Sequence, residues 1–338
     1  MFSPHMLKVL LVGQGAREHC IAETLRKNTD VKIYAFMKAK NPGILKLATE
    51  YCMSSLTDFA ALKRFVQHVK PDFAVIGPED PLAAGIVDEL EKWNIPSCAP
   101  HKKCAEIEAS KSFARGLMAE YYPKVNPLFK VFTSLKGVKE FIDSLKGNVV
   151  VKADGLAGGK GVKVMGEHLL NSAEAVAYAK ECLKQHKRVV VEEKLEGEEF
   201  SLMSFVDGKH LQHMVPVQDH KRAYKGDTGP NTGGMGSYSD ATHSLPFLTE
   251  KDLEQAYAIN EAAVKALNAK TGMPYKGILY GGFMATKSGV KLIEYNSRFG
   301  DPEVMNVLPI LKTDFTAICL AIINGKLDQL QIRFEEKA

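Results

Sequence analysis

Residues 149–165 combine a lysine-bearing apolar run with a glycine-rich loop, a combination that can hold phosphate groups. The stretch reads VVVKADGLAGGKGVKVM, so a β-branched run enters a loop with glycines at 155, 158, 159 and 161, and a second strand-like run leaves it. Glycines let backbone N–H groups approach phosphate oxygens closely, and Lys160 adds a mobile positive charge. Lys152 lies inside the apolar run, where a lysine needs a partner that a nucleotide phosphate would supply. We therefore predict a β-hairpin with a phosphate-binding tip.

A P-loop is the obvious competing interpretation of this stretch, and the residues exclude it. The pattern GxxxxGK[ST] requires glycine where Asp154 stands and serine or threonine where Gly161 stands. The segment 162–165 is also strand-like, whereas a P-loop opens a helix. A glycine-rich hairpin without a ligand remains the plainer alternative.

Residues 189–201 offer the groups that an adenosine needs. The sequence VVVEEKLEGEEFS predicts a strand, an acidic turn and a second strand. An adenine ring requires backbone N–H and C=O groups, and a ribose requires an acceptor, for which Glu199 is the best candidate. A solvated acidic turn is the alternative.

Residues 290–296 (VKLIEYN) predict a strand with two oxygen ligands on one face. Side chains alternate along a strand, so Glu294 and Asn296 point the same way. Two oxygen ligands suit Mg²⁺ that bridges phosphates, although an isolated pair of this kind is a weak signal. Arg298, Asp301 and Glu303 follow directly, and none of them has an evident role in a core.

The N-terminal segment predicts a strand over 8–13 and a helix from the loop GQGAREH to about residue 28, as in a Rossmann-like unit. Glu18 stands at the third glycine position of the dinucleotide fingerprint, so we do not expect a nicotinamide or flavin site. The helix N-terminus can still bind a phosphate monoester, with Arg17 assisting. The loops 13–19, 41–43 and 77–82 follow parallel strands and should converge on one rim. Glu79 and Asp80 could equally form a solvated turn.

Several further elements are predicted from local patterns. We expect a turn at 41–43, a short strand over 95–99 and one helix over 102–119. A β-α-ββ-α-β module should cover about 128–195. Residues 218–238, which are poor in apolar side chains, should form a long loop.

Length and composition describe a globular chain of two or three domains. It has 338 residues, of which 45% are hydrophobic and 25% charged, and its net charge is +4. This mild charge suits anionic small molecules and does not call for nucleic acid. No apolar run has the ~20 residues of a membrane span, so we expect no membrane association. The six cysteines are scattered without a CxxC pair, which favours a reducing, cytoplasmic compartment.

Taken together, these motifs resemble the ATP-grasp ligases, and specifically the phosphoribosylamine–glycine ligases, also called glycinamide ribonucleotide synthetases. The resemblance rests on VVKADGLAGGKGV, VVVEEKLEGEEFS, QDHKRAYKGDTGPNTGGMG and LIEYNSRFGDPE, and on GQGAREH, NPG and GPEDPL. It covers nearly the whole chain. It implies an α/β and α+β fold with a Rossmann-like N-terminal domain at 1–109 and a linker helix at 110–127. A small β-rich lid at 128–198 and an ATP-grasp core at 199–332 would follow.

The resemblance further implies ligation of glycine to 5-phosphoribosylamine with ATP and Mg²⁺ or Mn²⁺, an early step of purine biosynthesis. The ATP contacts it implies are Lys111, Lys152, Gly158, Gly159, Lys160, Gly161, Glu192, Glu193, Leu195 and Glu199, and the metal ligands are Glu294 and Asn296. The residues that it implies face phosphoribosylamine or glycine are Gly15, Arg17, Glu18, His19, Asn41, Pro42, Gly43, Glu79, Asp80, Thr232 and Gly233. The residues that it implies frame the reacting carboxyl are Asp219, Lys221, Asn231, Arg298 and Asp301.

Two other functions remain open at the level of sequence. One is another ATP-grasp carboxylate–amine ligase, against which the loop DHKR…DTGPNTGGMG argues. The other is an ATP-binding fragment without turnover, because relatives of this family continue into a further small domain of ~90 residues. We expect 333–338 to be the start of that domain. The apolar surface that it would cover, including residues 315–323, should then be exposed and favour self-association.

Overall fold

The N-terminal part of the chain forms a parallel four-stranded sheet. The structure is a computed structural model, and it describes residues 6–156, 161–226 and 228–338, without the side chains of 230, 231 and 233. The strands lie in the order β3-β2-β1-β4 and every pairing is parallel. They are β1 Leu7–Val12, β2 Val31–Met37, β3 Ala48–Met53 and β4 Phe73–Ile76. The intervening and following helices are α1 Ala16–Arg26, α2 Pro42–Leu47, α3 Phe59–Val69, α4 Glu79–Ala84 and α5 Ile86–Lys92.

Two local predictions for this part were wrong, and one open alternative is excluded. Residues 41–43 are the beginning of α2 and not a turn, because Asn41 caps the helix and Pro42 has the fixed φ that a first helical position requires. Glu79 and Asp80 begin α4 and do not form a solvated turn. Residues 95–99 make a single bridge, between Ala74 and Ser97, because prolines at 96 and 100 lack the N–H that a longer ladder needs.

Two consecutive helices lead out of this part, where one was predicted. They are α6 Lys102–Ala109 and α7 Lys111–Tyr121, and a 3₁₀ turn, Pro123–Val125, follows. The chain breaks at Ser110, which has extended backbone angles and accepts a hydrogen bond from the Phe113 backbone as the N-cap of α7.

The lid has the predicted order of elements. They are β5 Phe129–Phe132, α8 Val138–Ser144, β6 Val149–Ala153, β7 Val162–Val164, α9 Ser172–His186 and β8 Val189–Glu193. The antiparallel sheet runs β5-β8-β6-β7, so β6 and β7 form the predicted hairpin on its edge. The helices α8 and α9 cover one face of this sheet with a separate apolar cluster that includes Ile142 and Ala179.

A second antiparallel sheet forms the core of the C-terminal part, in the order β10-β9-β13-β14. Its strands are β9 Glu198–Asp207, β10 Leu211–His213, β13 Lys276–Thr286 and β14 Gly289–Asn296, and a hairpin of β11 Gln218–Tyr224 and β12 Thr228–Tyr238 lies beside it. The helices are α10 Glu250–Thr271, α11 Val304–Val307 and α12 Phe315–Asn324, with a 3₁₀ turn at Leu327–Gln329.

The prediction of a long loop over 218–238 was therefore wrong. These residues pair as an antiparallel hairpin with two register shifts. The hairpin is joined by backbone hydrogen bonds, and Gly229, Gly234 and Gly236 have positive φ angles. Because the hairpin does not depend on alternating apolar side chains, no strand pattern was visible in this segment.

The N-terminal sheet and the core sheet share one apolar cluster. Val9, Ile21 and Phe73 pack in the same cluster as Phe205 and Ile318. The helix α12, which we expected to be exposed, is mostly buried in this cluster, so that expectation was wrong. Among the described residues, no helix is both long and apolar enough to cross a membrane.

Candidate functional site

The three loops at the carboxyl end of the parallel sheet meet at one rim, as predicted. The Asn41 side chain donates to the backbone oxygens of Gln14, at 2.9 Å, and Gly15, at 3.2 Å. Its amide oxygen accepts from the Gly43 backbone at 2.9 Å. A Cβ at Gly43 would lie 2.2 Å from the His19 ring, so a larger residue here would displace that ring.

Glu18 and Arg17, which were predicted to face the phosphate of the substrate, are buried and partnered in this structure. The Glu18 carboxylate accepts from the Gly15 backbone at 2.5 Å and from Arg17 Nε at 2.7 Å. Arg17 also donates to the Phe299 backbone oxygen at 3.3 Å, which joins the rim to the segment after β14. The Glu18 side chain fills the space beside Gly77, where an added Cβ would lie 2.1 Å from its oxygen.

The base of the glycine loop is fastened to the N-terminus of α7. The Asp154 carboxylate accepts from the Ser110 hydroxyl at 3.0 Å and from the Ser112 hydroxyl at 2.6 Å. Lys111, a predicted phosphate contact, donates to the Gly155 backbone oxygen at 3.0 Å. Gly161 accepts from the Ala153 backbone at 2.8 Å and closes the hairpin. Gly158, Gly159 and Lys160 lie outside the described residues.

Lys152 has a protein partner in this structure. It forms an ion pair with Glu192 and donates to the Ile293 backbone oxygen at 3.0 Å. Arg115 of α7 binds the same carboxylate through two bonds, at 2.8 and 3.1 Å. Burial raises the pKa of Glu192, but Arg115 and Lys152 outweigh it and leave that pKa lowered, so the carboxylate is ionised.

The sequence analysis did not identify Arg115. Arg115 could have been identified as a cation on the buried side of α7, next to Ala114 and Met118. A cation among apolar residues is also the feature that identified Lys152 on its strand.

The residues predicted to hold adenosine lie at the junction of the lid and the core. Glu193, at the end of β8, accepts from the Leu128 backbone at 2.9 Å, and Leu195 is partly buried just after it. Glu199, the predicted ribose acceptor, lies on β9 and binds Lys221 Nζ at 2.8 Å.

A β-bulge places the predicted metal ligands on the outer face of β14. Gly282 pairs with Glu294 and Phe283 with Leu292, so Ile293 is the extra residue. Without this shift the side chains of Glu294 and Asn296 would point to the same buried face as those of Val290 and Leu292. With it, Tyr295 is buried and the two oxygen ligands point away from the core.

Glu294 lies at the centre of a group of cations. Burial raises its pKa, but the positive charges of Lys221, Lys152, Lys111 and Arg298 lower it further than burial raises it. Cations predicted to contact ATP and cations predicted to frame glycine therefore act on the same carboxylate. A carboxylate and an amide oxygen form a partial donor set that fits Mg²⁺ once phosphate oxygens and water complete it.

The other residues predicted to frame glycine lie around this centre. Asp219 Oδ1 is buried without a hydrogen-bond partner among the described atoms, and burial raises the pKa of Asp219 to about 6. Thr232 Oγ1 donates to the Lys221 backbone oxygen at 3.0 Å. Asn231 pairs with Arg222 along the hairpin backbone, and the side chains of 231 and 233 are not among those that the structure describes. Asp301 is exposed.

Arg298 lies between two carboxylates of the N-terminal part. Its Nη2 is 2.9 Å from Glu108, and its Nε is 3.3 Å from Glu79. Burial raises the pKa of Glu79, but Arg298 and Arg17 leave it lowered. Asp80 is exposed beside it. The sequence analysis missed Glu108, whose only signal was its place on the apolar side of α6 with Cys104 and Ile107.

Comparison with protein families divides the chain into two matched parts. Residues 7–108 match the N domain of phosphoribosylglycinamide synthetase, and residues 109–304 match the ATP-grasp (A) domain of the same enzyme. The chain belongs to the phosphoribosylamine–glycine ligase family.

Proteins of the phosphoribosylamine–glycine ligase family match this chain over nearly its whole length. The ligase of Methanocella arvoryzae is 51% identical, and the match covers 98% of this chain and 76% of the relative. The ligase of Methanocaldococcus jannaschii is also 51% identical, with the same shares covered. The crystal structure of the Thermotoga maritima ligase is 27% identical with a TM-score of 0.76, covering 94% of this chain and 76% of that one.

The same fold occurs outside the ligase family. An N5-carboxyaminoimidazole ribonucleotide synthetase, solved as an ADP complex, has a TM-score of 0.72 at 14% identity and covers 98% of this chain and 79% of its own. This likeness shows the fold alone. The predicted fold, with a parallel N-terminal sheet followed by antiparallel ATP-grasp sheets, is confirmed.

Proposed function

We propose that this chain joins glycine to 5-phosphoribosylamine, with ATP converted to ADP and phosphate, and so forms glycinamide ribonucleotide in purine biosynthesis. The family assignment supports this reaction. Within the molecule, the observation that carries the proposal is that the charges of Lys111, Lys152, Lys221 and Arg298 all act on Glu294. Three of these cations have carboxylate partners in this structure, and the phosphates and the carboxylate of the substrates would take the place of such partners.

The ATP phosphates would bind at Lys111, Lys152 and the glycine loop. Lys152 would then exchange its ion pair with Glu192 for a phosphate contact, and Arg115 would keep Glu192 paired. The ribose would bind at Glu199 and the adenine at backbone groups around Leu195. Bound Mg²⁺, held by Glu294 and Asn296, would neutralise phosphate charge, as is usual in phosphoryl transfer.

The reaction would take place in two steps. First, the carboxylate oxygen of glycine attacks the γ-phosphorus, and the bond to the β-phosphate oxygen breaks to give glycyl phosphate and ADP. Then the amine of phosphoribosylamine attacks the carbonyl carbon, loses a proton, and displaces phosphate. Lys221 and Arg298 would stabilise the negative charge of both steps, and Asp219 would hold the glycine ammonium.

Phosphoribosylamine would bind at the rim of the parallel sheet. Its phosphate would lie at the GQGAREH loop and α2, and its hydroxyl groups at Glu79 and Asp80. Because Arg17 links this rim to Phe299, the amine is expected to enter beside Arg298.

The decisive test is ADP formation by the 338-residue chain with each substrate omitted in turn. We expect ADP release to require both glycine and phosphoribosylamine, and the product to be glycinamide ribonucleotide by mass spectrometry. ADP release with another carboxylate and amine would favour a different ligase. ATP binding without any turnover would identify an ATP-binding fragment.

A further inference from the structure

A row of buried charges crosses the boundary between the two matched parts of the chain. Glu18 pairs with Arg17 at 2.7 Å, Arg17 with Glu79 at 3.8 Å, Glu79 with Arg298 at 3.3 Å, and Arg298 with Glu108 at 2.9 Å. The two arginines thus share three carboxylates. Glu79 is the most accessible of the five, with 26% of its side chain exposed, whereas Glu108 is 5% exposed.

Glu108 is fixed in this row by the segment that carries Arg298. Its Oε2 accepts from the backbone N–H of Ser297 at 2.8 Å and from the Ser297 hydroxyl at 2.9 Å. Its other oxygen is therefore free for Arg298. A carboxylate this deeply buried is costly unless charged and hydrogen-bonding partners surround it, and among the described residues these partners are Ser297 and Arg298.

Arg298 lies closer to Glu108, at 2.9 Å, than to Glu79, at 3.3 Å. The Nε of Arg298, which faces Glu79, has no hydrogen-bond partner among the described atoms, although an oxygen of Glu79 lies 3.3 Å away. The distance is short and the direction is poor, so this contact is electrostatic. Without Glu108, the guanidinium would have Glu79 as its nearest carboxylate and would move toward it.

We propose that Glu108 is a positioning residue, which holds Arg298 at the reacting end of the site and thereby keeps Glu79 available for the hydroxyl groups of the amine substrate. This inference rests on the proposed function. Helix α6 contributes none of the predicted contacts with substrate. Through Glu108 it would position the side chains where the amine site meets the glycine site.

The proposal predicts a selective kinetic effect of Glu108→Gln. Glutamine retains an oxygen for Ser297 but presents no charge to Arg298. We expect the KM for phosphoribosylamine to rise at least about tenfold, the equivalent of one charged hydrogen bond, and kcat to fall. The KM for ATP should stay within about twofold, because Lys111 and Lys152 hold ATP from the lid side. Glu106→Gln, an exposed change on the same helix, is the matched control and should change none of these constants.

A double-mutant cycle separates positioning from a general loss of structure. If Glu108 acts by preventing a closer contact between Arg298 and Glu79, Glu108→Gln should raise the KM for phosphoribosylamine much less in a Glu79→Gln background. Glu108→Asp, which retains the charge, should recover part of the wild-type value. Melting temperatures of all variants identify any that fail to fold.

Two outcomes would overturn the inference and leave the proposed function intact. One is an equal rise in KM for ATP and for phosphoribosylamine. The other is an undiminished effect of Glu108→Gln in the Glu79→Gln background. If the wild-type chain shows no turnover that depends on phosphoribosylamine, the proposed function is wrong, and this inference is wrong with it.

Discussion

Lys152 illustrates how one side chain can serve two partners. It is buried between Glu192 and the Ile293 backbone oxygen, and Glu192 has a second cation in Arg115. Removal of Lys152 therefore leaves no unpaired buried carboxylate, which is the usual reason why breaking a buried ion pair is so destabilising. An effect on ligand binding can thus be separated from an effect on folding.

We expect Lys152→Met to weaken ATP binding about tenfold or more and to change the melting temperature little, because the methionine side chain fills the same volume. Isothermal calorimetry measures the affinity. Lys130→Met, an exposed lysine on the same lid sheet, is the control and should bind ATP normally. Unchanged affinity in Lys152→Met would remove this lysine from the nucleotide site.

Asp219 gives the site a pH-dependent stability. Burial raises its pKa from 3.8 to about 6. Between about pH 4 and pH 6 the folded chain therefore binds more protons at this group than the unfolded chain does. Its contribution to the free energy of unfolding falls as the pH rises through that window and stays constant above it.

In Asp219→Asn the side chain cannot ionise, so this decrease in the free energy of unfolding should be absent. We expect its melting temperature to exceed that of the wild type by about 1–2 °C at pH 7, a modest effect because the group is only partly buried, and to match it near pH 4. Thermal unfolding followed by circular dichroism across this range checks the prediction. A difference of the same size at both pH values would contradict it.

At the scale of elements, two glycines show which backbone positions the fold requires. Gly277, at the start of β13, has a φ of +117°, and a Cβ there would lie 2.8 Å from the Ala99 backbone. Gly116 lies inside α7, where nothing is within 4 Å of an added Cβ. The first glycine allows β13 to pack against the N-terminal part, whereas the second only weakens its helix.

We expect Gly277→Ala to lower the melting temperature by at least about 3 °C, because alanine adopts that φ poorly and collides with backbone atoms. Gly116→Ala should raise it by about 2 °C through helix propensity. The two variants are each other's control in a single calorimetric series. Destabilisation by both would mean that α7 is strained in a way that its contacts do not show.

At the scale of the whole molecule, the shared apolar cluster divides the chain differently from the sequence motifs. One side of the N-terminal sheet and one side of the ATP-grasp core pack in a shared cluster, each also has a cluster of its own, and the lid has a separate one. We therefore propose that the boundaries near residues 109, 128 and 198 mark functional units, of which only the lid is a separate folding unit. A lid that packs separately can move over ATP without disturbing the amine site.

Trp93, the only tryptophan in the sequence, reports on this arrangement because it packs on the outer face of the N-terminal sheet. Ile318→Ala in α12 removes a fully buried side chain from the shared cluster, and Ile142→Ala does the same in the lid. Each should cost about 2–5 kcal/mol locally. We expect only Ile318→Ala to shift the denaturant midpoint of Trp93 fluorescence. Equal shifts would show that the lid unfolds with the rest.

The sequence alone determined the order of the lid elements, the parallel N-terminal sheet and the face shared by Glu294 and Asn296. These features follow from local periodicity, glycine placement and β-branched runs, which act between residues close in the chain. Asn41 and Pro42 show the limit of this reasoning, because in sequence the start of a six-residue helix resembles a turn.

Only the tertiary structure decided the buried charge partners. Arg115 binds Glu192 across 77 positions, and Glu108 binds Ser297 across 189. The place of Glu108 on the apolar side of α6 indicates burial, but nothing near it in the sequence identifies its partners. Its role arises because folding removes water from the junction between the two matched parts, where a buried carboxylate must find its partners in a distant segment of the chain.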